Sequence, residues 1–185
     1  MELSIQDELW WGTRLQLPSW AGYQSRFGAY GSKDKPEPSD GSVSLIFAPE
    51  ARGLEPLTEP ELRLVSWFEQ NEPSVSQAVK TGIIEWCSPQ SVERASRFDF
   101  DDDFPAVANE DDLKRNVGLY AVNIHQVDVD GVPYVGYEFG CEWENEHGLG
   151  VLMHGTRVVD VGFADTALLL WVAERDAGAS GATST

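Results

Sequence analysis

Two alternating runs, "VGLYAVNIHQVDV" and "VPYVGYEFGCEW", meet at Asp130-Gly131, and this junction constrains the fold more than any other part of the chain. Aspartate followed by glycine supplies the backbone freedom that a two-residue hairpin turn needs, and alternation on both sides is the pattern of half-buried strands. With a two-residue turn, Val129 faces Val132. Counting outward then sets Ile124 opposite Tyr137, Val122 opposite Phe139 and Tyr120 opposite Cys141. One face of the hairpin is apolar throughout. The other receives His125 opposite Gly136 and Asn123 opposite Glu138, and a slip of one residue would scatter both sets.

The same counting extends through "CEWENEHGLG". A turn from Glu144 to Gly148 pairs Trp143 with Leu149, Cys141 with Val151 and Phe139 with Met153, and it sets Glu138 opposite His154. Asn123, Glu138 and His154 then line up across three strands, with His125 one step along. Gly136 and Gly140 bracket Glu138, and they either leave room beside it or admit a packed helix. A carboxylate between two imidazoles can share a metal or act as an acid-base pair. His125, Glu138, His154 and Asn123 are therefore the catalytic candidates should the chain be an enzyme, and His125, Glu138 and His154 the candidate metal ligands. Against this, strands lie ~4.8 Å apart, so any half-exposed antiparallel sheet brings polar groups together. The spacing also matches no specific metal motif. No metal or cofactor is expected, and a non-catalytic protein is favoured over a metal-binding protein or hydrolase.

Elsewhere "WGTRLQL" and "SVSLIFA" alternate as an N-terminal strand pair, separated by the loop-like "GAYGSKDKPEPSDG". Thr58, with Pro60 and Glu61 behind it, caps a helix that Asn71-Glu72-Pro73 should end. A second helix carries Val75, Val79, Ile83 and Trp86, and a third short one follows Pro89, which makes a helical segment over about 58–97. "DFDDDFPAVANEDD" begins like a calcium loop but has Phe104-Pro105 where the turn glycine belongs, so it reads as a solvated acidic loop. "ADTALLLWVAERD", capped by Asp165 or Thr166, places Leu168, Trp171 and Val172 on one helical face. The expected fold is one α+β domain over residues 1–176, with an antiparallel sheet at about 117–161, and a disordered tail over 177–185.

Function must then be read from charge. Thirteen Lys and Arg against 31 Asp and Glu give −18, which repels nucleic acid and anionic membranes and favours a cationic partner. The acidic start "MELSIQDELWW" has no signal-peptide character and no segment approaches ~18 apolar residues, so a cytoplasmic protein is expected. Cys87 and Cys141 stand too far apart for a zinc motif and read as buried thiols. No phosphate loop, serine elbow or basic aromatic patch occurs.

The stretch "YEFGCEWENEHGLGVLMHGTRVVDVGFADTAL" resembles an uncharacterised bacterial domain family that carries a Cys-x-Trp-x-x-Glu-His-Gly-Leu-Gly segment, here Cys141 to Gly150, and a Gly-x-Ala-Asp-Thr ending, here Gly162 to Thr166. The family-like part spans about 117–175. The resemblance implies no catalytic residues and a loose association with toxin-immunity loci. The expected function is thus an acidic interaction protein, immunity-like, that binds a basic protein partner. Its contacts would be Asp99, Asp101, Asp102, Asp103, Glu110, Asp111 and Asp112 of the acidic loop with Glu144 and Glu146 of the turn. A structural or regulatory domain is the remaining alternative.

Overall fold

The computed structural model of the protein describes residues 1–28, 33–35, 37–88, 106–144 and 146–182. The fold is α+β, built on a seven-stranded sheet whose spatial order follows the chain: β1 (Ser4–Gln6), β2 (Trp10–Gln16), β3 (Ser42–Phe47), β4 (Val117–Val129), β5 (Val132–Cys141), β6 (Leu149–His154) and β7 (Arg157–Gly162). All neighbours are antiparallel except β3 and β4, which run parallel. A parallel pair requires a long crossover. Here it contains α1 (Glu59–Trp86), which lies across the sheet and buries Leu64, Val65, Phe68, Val75, Val79, Ile83 and Trp86 with one sheet face. That face consists of Val43, Leu45 and Phe47 of β3, Val122 and Ile124 of β4, Val135, Tyr137 and Phe139 of β5, and Leu149, Val151 and Met153 of β6. At its end Trp20 packs on Phe139 at a 5.2 Å ring separation and donates to Ser76 Oγ.

The hairpin at Asp130-Gly131 forms, with Val129 opposite Val132 and both turn residues at positive φ. Beyond it the register departs from the count. An irregularity between Ile124 and Asp128 moves Ile124 opposite Val135 and Val122 opposite Tyr137, a displacement of two residues. The turn after β5 is longer than expected, covering 142–148, so Phe139 faces Leu149 and Tyr137 faces Val151, a displacement of four. Because side chains alternate with period two, even displacements leave every residue on its predicted face. The exception is a one-residue bulge at Tyr120, between Leu119 opposite Phe139 and Ala121 opposite Glu138. Tyr120 therefore leaves the apolar face on which the count had set it against Cys141.

Three further expectations change. Asn71-Glu72-Pro73 does not end a helix, since α1 runs through it for 28 residues. Pro73 is exposed, so the carbonyl that loses its N–H partner faces water, while the buried stripe continues through Glu72, Val75 and Val79. Burial of that stripe outweighs the ~3 kcal/mol that an interior proline costs. Glu110, Asp111 and Asp112 are not loop residues but the first turn of α2 (Glu110–Asn116), capped by Asn109, whose side chain accepts from Asp112 N–H at 3.0 Å. Carboxylates there complement the helix dipole. Asp165 and Thr166 lie in a separate 3-10 turn, Ala164–Ala167, and α3 (Leu170–Ala182) begins after it and carries helix through 177–182, read from the sequence as tail. The third helix expected after Pro89 and the calcium-like run lie outside the described residues. Among the described residues no helix is long and apolar enough to cross a membrane.

Candidate functional site

The second face of the sheet carries glycine where the first carries bulk. Gly118, Gly136, Gly140 and Gly150 all lie on it, and each is covered by another stretch of backbone. A Cβ on Gly136 would lie against Ala167 O and within 2.6 Å of the Ala167 carbonyl carbon, and one on Gly150 would come within 2.7 Å of Ala164 O. The 3-10 turn is therefore seated directly on β5 and β6. A Cβ on Gly118 would meet Gln24 O, and one on Gly140 would come within 2.9 Å of Gly28 O. The segment Gln24–Gly28 is seated the same way at the other end, anchored by Gln24 N–H donating to Val117 O at 3.1 Å. Absence of a side chain is what lets backbone approach so closely.

Glu138 stands between the two seats, flanked on β5 by Gly136 and Gly140. The residue is 8% exposed. It accepts hydrogen bonds from Asn123 Nδ2 at 2.7 Å and from Tyr120 Oη at 3.0 Å. Burial raises its pKa above the ordinary carboxylate range, while the two donated hydrogen bonds pull the other way. No Lys or Arg lies within ion-pair distance of it among the described residues. The bulge delivers the Tyr120 hydroxyl.

From Glu138 a cleft of about 480 Å³, left open by the described residues, continues over β4, β3 and β2. Ala121 and Ile46 form an apolar strip on its floor, Ser25, Ser39, Ser42 and Ser44 supply hydroxyls, and Arg14, Lys35, Asp34 and Asp40 stand at its rim. Arg14 is held by Ser42 Oγ at 3.1 Å, and Arg26 by Gln24 Oε1 at 2.7 Å and Glu142 Oε1 at 2.9 Å. The cleft thus has rim charges of both signs and two buried charges in its lining, the Glu138 carboxylate at its inner end and the Arg26 guanidinium, which is paired with Glu142.

Of the residues singled out from the sequence, Asn123 and Glu138 meet. His125 and His154 do not join them. Glu138 pairs with Ala121 and Gly150, so each histidine lies four residues along its strand from Glu138, about 13 Å of strand rise. His125 is fully buried under the 3-10 turn, its Nε2–H donating to Ala167 O at 3.0 Å, and burial lowers its pKa. His154 stacks on Tyr134 at 4.6 Å, beside the Tyr134 hydroxyl that donates to Asp176 of α3 at 2.6 Å. Among the described residues no three His, Cys, Asp or Glu side chains come together as a metal site would require. Cys141 is buried, and its thiol is raised to about 12 by that burial, so it offers no thiolate.

The expected contact acids divide as well. Glu110 accepts from Lys80 at 3.1 Å and Tyr23 at 3.2 Å, which hold α1, α2 and the N-terminal segment together. Asp112 accepts from Ala108 N–H and from Arg115, and Glu144 from the N–H groups of Glu146 and His147. Asp111 and Glu146 point to solvent. Asp99, Asp101, Asp102 and Asp103 lie outside the described residues.

Sequence reasoning missed Tyr120 although a signal existed. Val117 and Leu119 are odd-numbered, Val122 and Ile124 even, and that change of parity within one strand marks a one-residue bulge. Arg14, Ser42 and Ser44 were legible as the polar side of their strands. What brought them to Glu138 is the parallel pairing of Ser44 with Ala121, which no local pattern announces.

Residues 38–169 match the model of a family described as a domain of unknown function, DUF6985. The match includes the cleft floor, Ser42, Ser44, Tyr120, Asn123 and Glu138, and leaves out Arg14 and Arg26. No curated protein and no solved structure matches the chain.

Proposed function

Since the chain belongs to the DUF6985 family, whose description brings no activity with it, we propose that the protein is a non-catalytic interaction protein that engages a basic protein partner. The observation that carries this reading is where the charge lies. Of the carboxylates behind the net −18, only Glu72 and Glu138 are buried among the described residues. The other described carboxylates are therefore open to solvent at least in part, and their field accelerates encounter with a cationic surface and screens with salt. Asp111 and Glu146, with the acids at 99–103, are the contacts we assign. The hydrolase or metal alternative loses support because its two histidines stand apart from Glu138 and one of them is sealed under backbone. In the immunity-like form of the reading, which rests on the loose association of the resembled uncharacterised family with toxin-immunity loci, the partner is a basic toxin that the protein occludes.

The test is capture of basic proteins on the immobilised full chain at low salt, beside an unrelated protein of equal net charge. Selective capture of one or a few basic proteins, lost as ionic strength rises and weakened when Asp111 and Glu146 are neutralised, is the expected result. Capture no more selective than the charge-matched control, or indifferent to salt, removes the reading.

A further inference from the structure

We propose that the cleft over β2 to β5 is a binding site for an organic cation, an alkylammonium or guanidinium group seated on the Glu138 carboxylate. This goes beyond the acidic-surface reading and does not depend on it. Of the two carboxylates buried among the described residues, Glu138 is the one that lines the cleft. A carboxylate has about four lone-pair sites, and the two neutral donors Tyr120 and Asn123 fill two. Those donors fix the direction of the group without cancelling its charge.

Among the described residues both buried cations are matched, Arg26 by Glu142 at 2.9 Å and Lys80 by Glu110 at 3.1 Å, while the other buried carboxylate, Glu72, accepts from Ser76 Oγ at 2.6 Å under α1, away from the cleft. Glu138 has no such partner among the described residues: Arg14 is held by Ser42, Arg26 by Gln24 and Glu142, and Lys35 stands at the rim beyond ion-pair distance of it. A charge withdrawn from water and left without a counterion is costly. A cation entering the cleft removes that cost. A neutral isostere does not.

The rest of the cleft suits the same ligand. Ala121 and Ile46 give an alkyl chain an apolar floor, and the Ser44 hydroxyl can accept a remaining N–H group. At about 480 Å³ the cleft falls within the ~300–1,000 Å³ usual for small-ligand sites. The charge of −18 raises the local concentration of any cation.

The test titrates the full chain with n-butylguanidinium and n-butylammonium, and with n-butylurea as neutral isostere, by calorimetry or by the NMR shifts of the Tyr120 ring. Saturable binding of both cations, with butylurea at least tenfold weaker, is expected. Glu138→Gln should weaken the cations at least tenfold. Should that variant not fold, Ser44→Lys, which keeps Glu138 but places an ammonium in the cleft, should block them. Equal binding of butylguanidinium and butylurea, as a permanently protonated Glu138 would give, or unchanged binding in a folded Glu138→Gln or Ser44→Lys protein, overturns the proposal.

A blocked Gly-Arg-Gly peptide and its citrulline counterpart distinguish the source of the cation. Arginine must beat citrulline. A peptide at least tenfold tighter than butylguanidinium identifies a polypeptide side chain as the natural occupant, and a weaker peptide a free small cation. Glu138→Gln protein that still captures basic partners at low salt separates failure at the cleft from failure of the surface reading.

Discussion

Replacing Gly136 by alanine would add one methyl group at the point where backbone is stacked directly on backbone. The new Cβ would lie against Ala167 O, 2.6 Å from its carbonyl carbon and 2.8 Å from its Cα. Unstrained carbon contacts are ~3.5–4.0 Å, so the 3-10 turn must retreat by about 1 Å. That retreat lengthens the 3.0 Å bond from His125 Nε2–H to Ala167 O beyond hydrogen-bonding range. His125 is fully buried and its Nδ1 has no partner either, so the ring would be left unsatisfied at both nitrogens. Gly136 is not at positive φ, so backbone strain adds nothing. Overpacking at ~1–3 kcal/mol and a stranded buried donor at ~1–3 kcal/mol together predict a loss of about 2–6 kcal/mol. Urea unfolding followed by tryptophan fluorescence measures it as a lower midpoint at unchanged slope. Gly178→Ala, where a Cβ meets nothing within 4 Å, is the control and should be neutral or stabilising. A loss below about 1 kcal/mol at Gly136 would mean that the turn does not rest on β5, and with it would go the wall that encloses Glu138.

Two other perturbations test the frame around the site. Arg52 donates to both Glu61 oxygens, at 2.7 and 3.0 Å, and that hydrogen bonding, with Thr58 N–H, holds the Glu61 carboxyl down at about 2. A pKa depressed in the folded state adds stability that is complete above the unfolded value near 4.5 and lost as pH falls toward 2. Glu61→Gln should therefore cost about 2–3 kcal/mol at pH 7 and progressively less below pH 4.5, and an equal gap in urea midpoints at pH 7 and pH 3 would count against the ion pair. Pro73→Ala restores an N–H to the exposed side of α1 and should raise stability by about 1–3 kcal/mol, seen as a higher thermal midpoint. A lower midpoint would show instead that α1 needs the proline to follow the sheet.

The sequence by itself determined which side chains share a face. Period-two alternation in 121–154 separates Val122, Ile124, Tyr137, Phe139 and Val151 from Asn123, His125, Glu138 and His154, and the structure keeps that division although neighbours are displaced by two and four residues; only before the bulge at Tyr120 is the displacement odd. Alternation is local, and an even displacement preserves it. For the same reason the hairpin at Asp130-Gly131 and the cap at Thr58 were legible, each resting on a few adjacent residues. Only the tertiary structure decided how far along each strand those residues meet, and so that Glu138 finds Tyr120 and Asn123 rather than His154. It also decided that the glycines beside Glu138 seat backbone from residues 24–28 and 164–167, and that the remaining opening faces β3, paired in parallel from far along the chain. Bulge position, turn length and crossover pairing follow from close packing among distant segments, which no local period records.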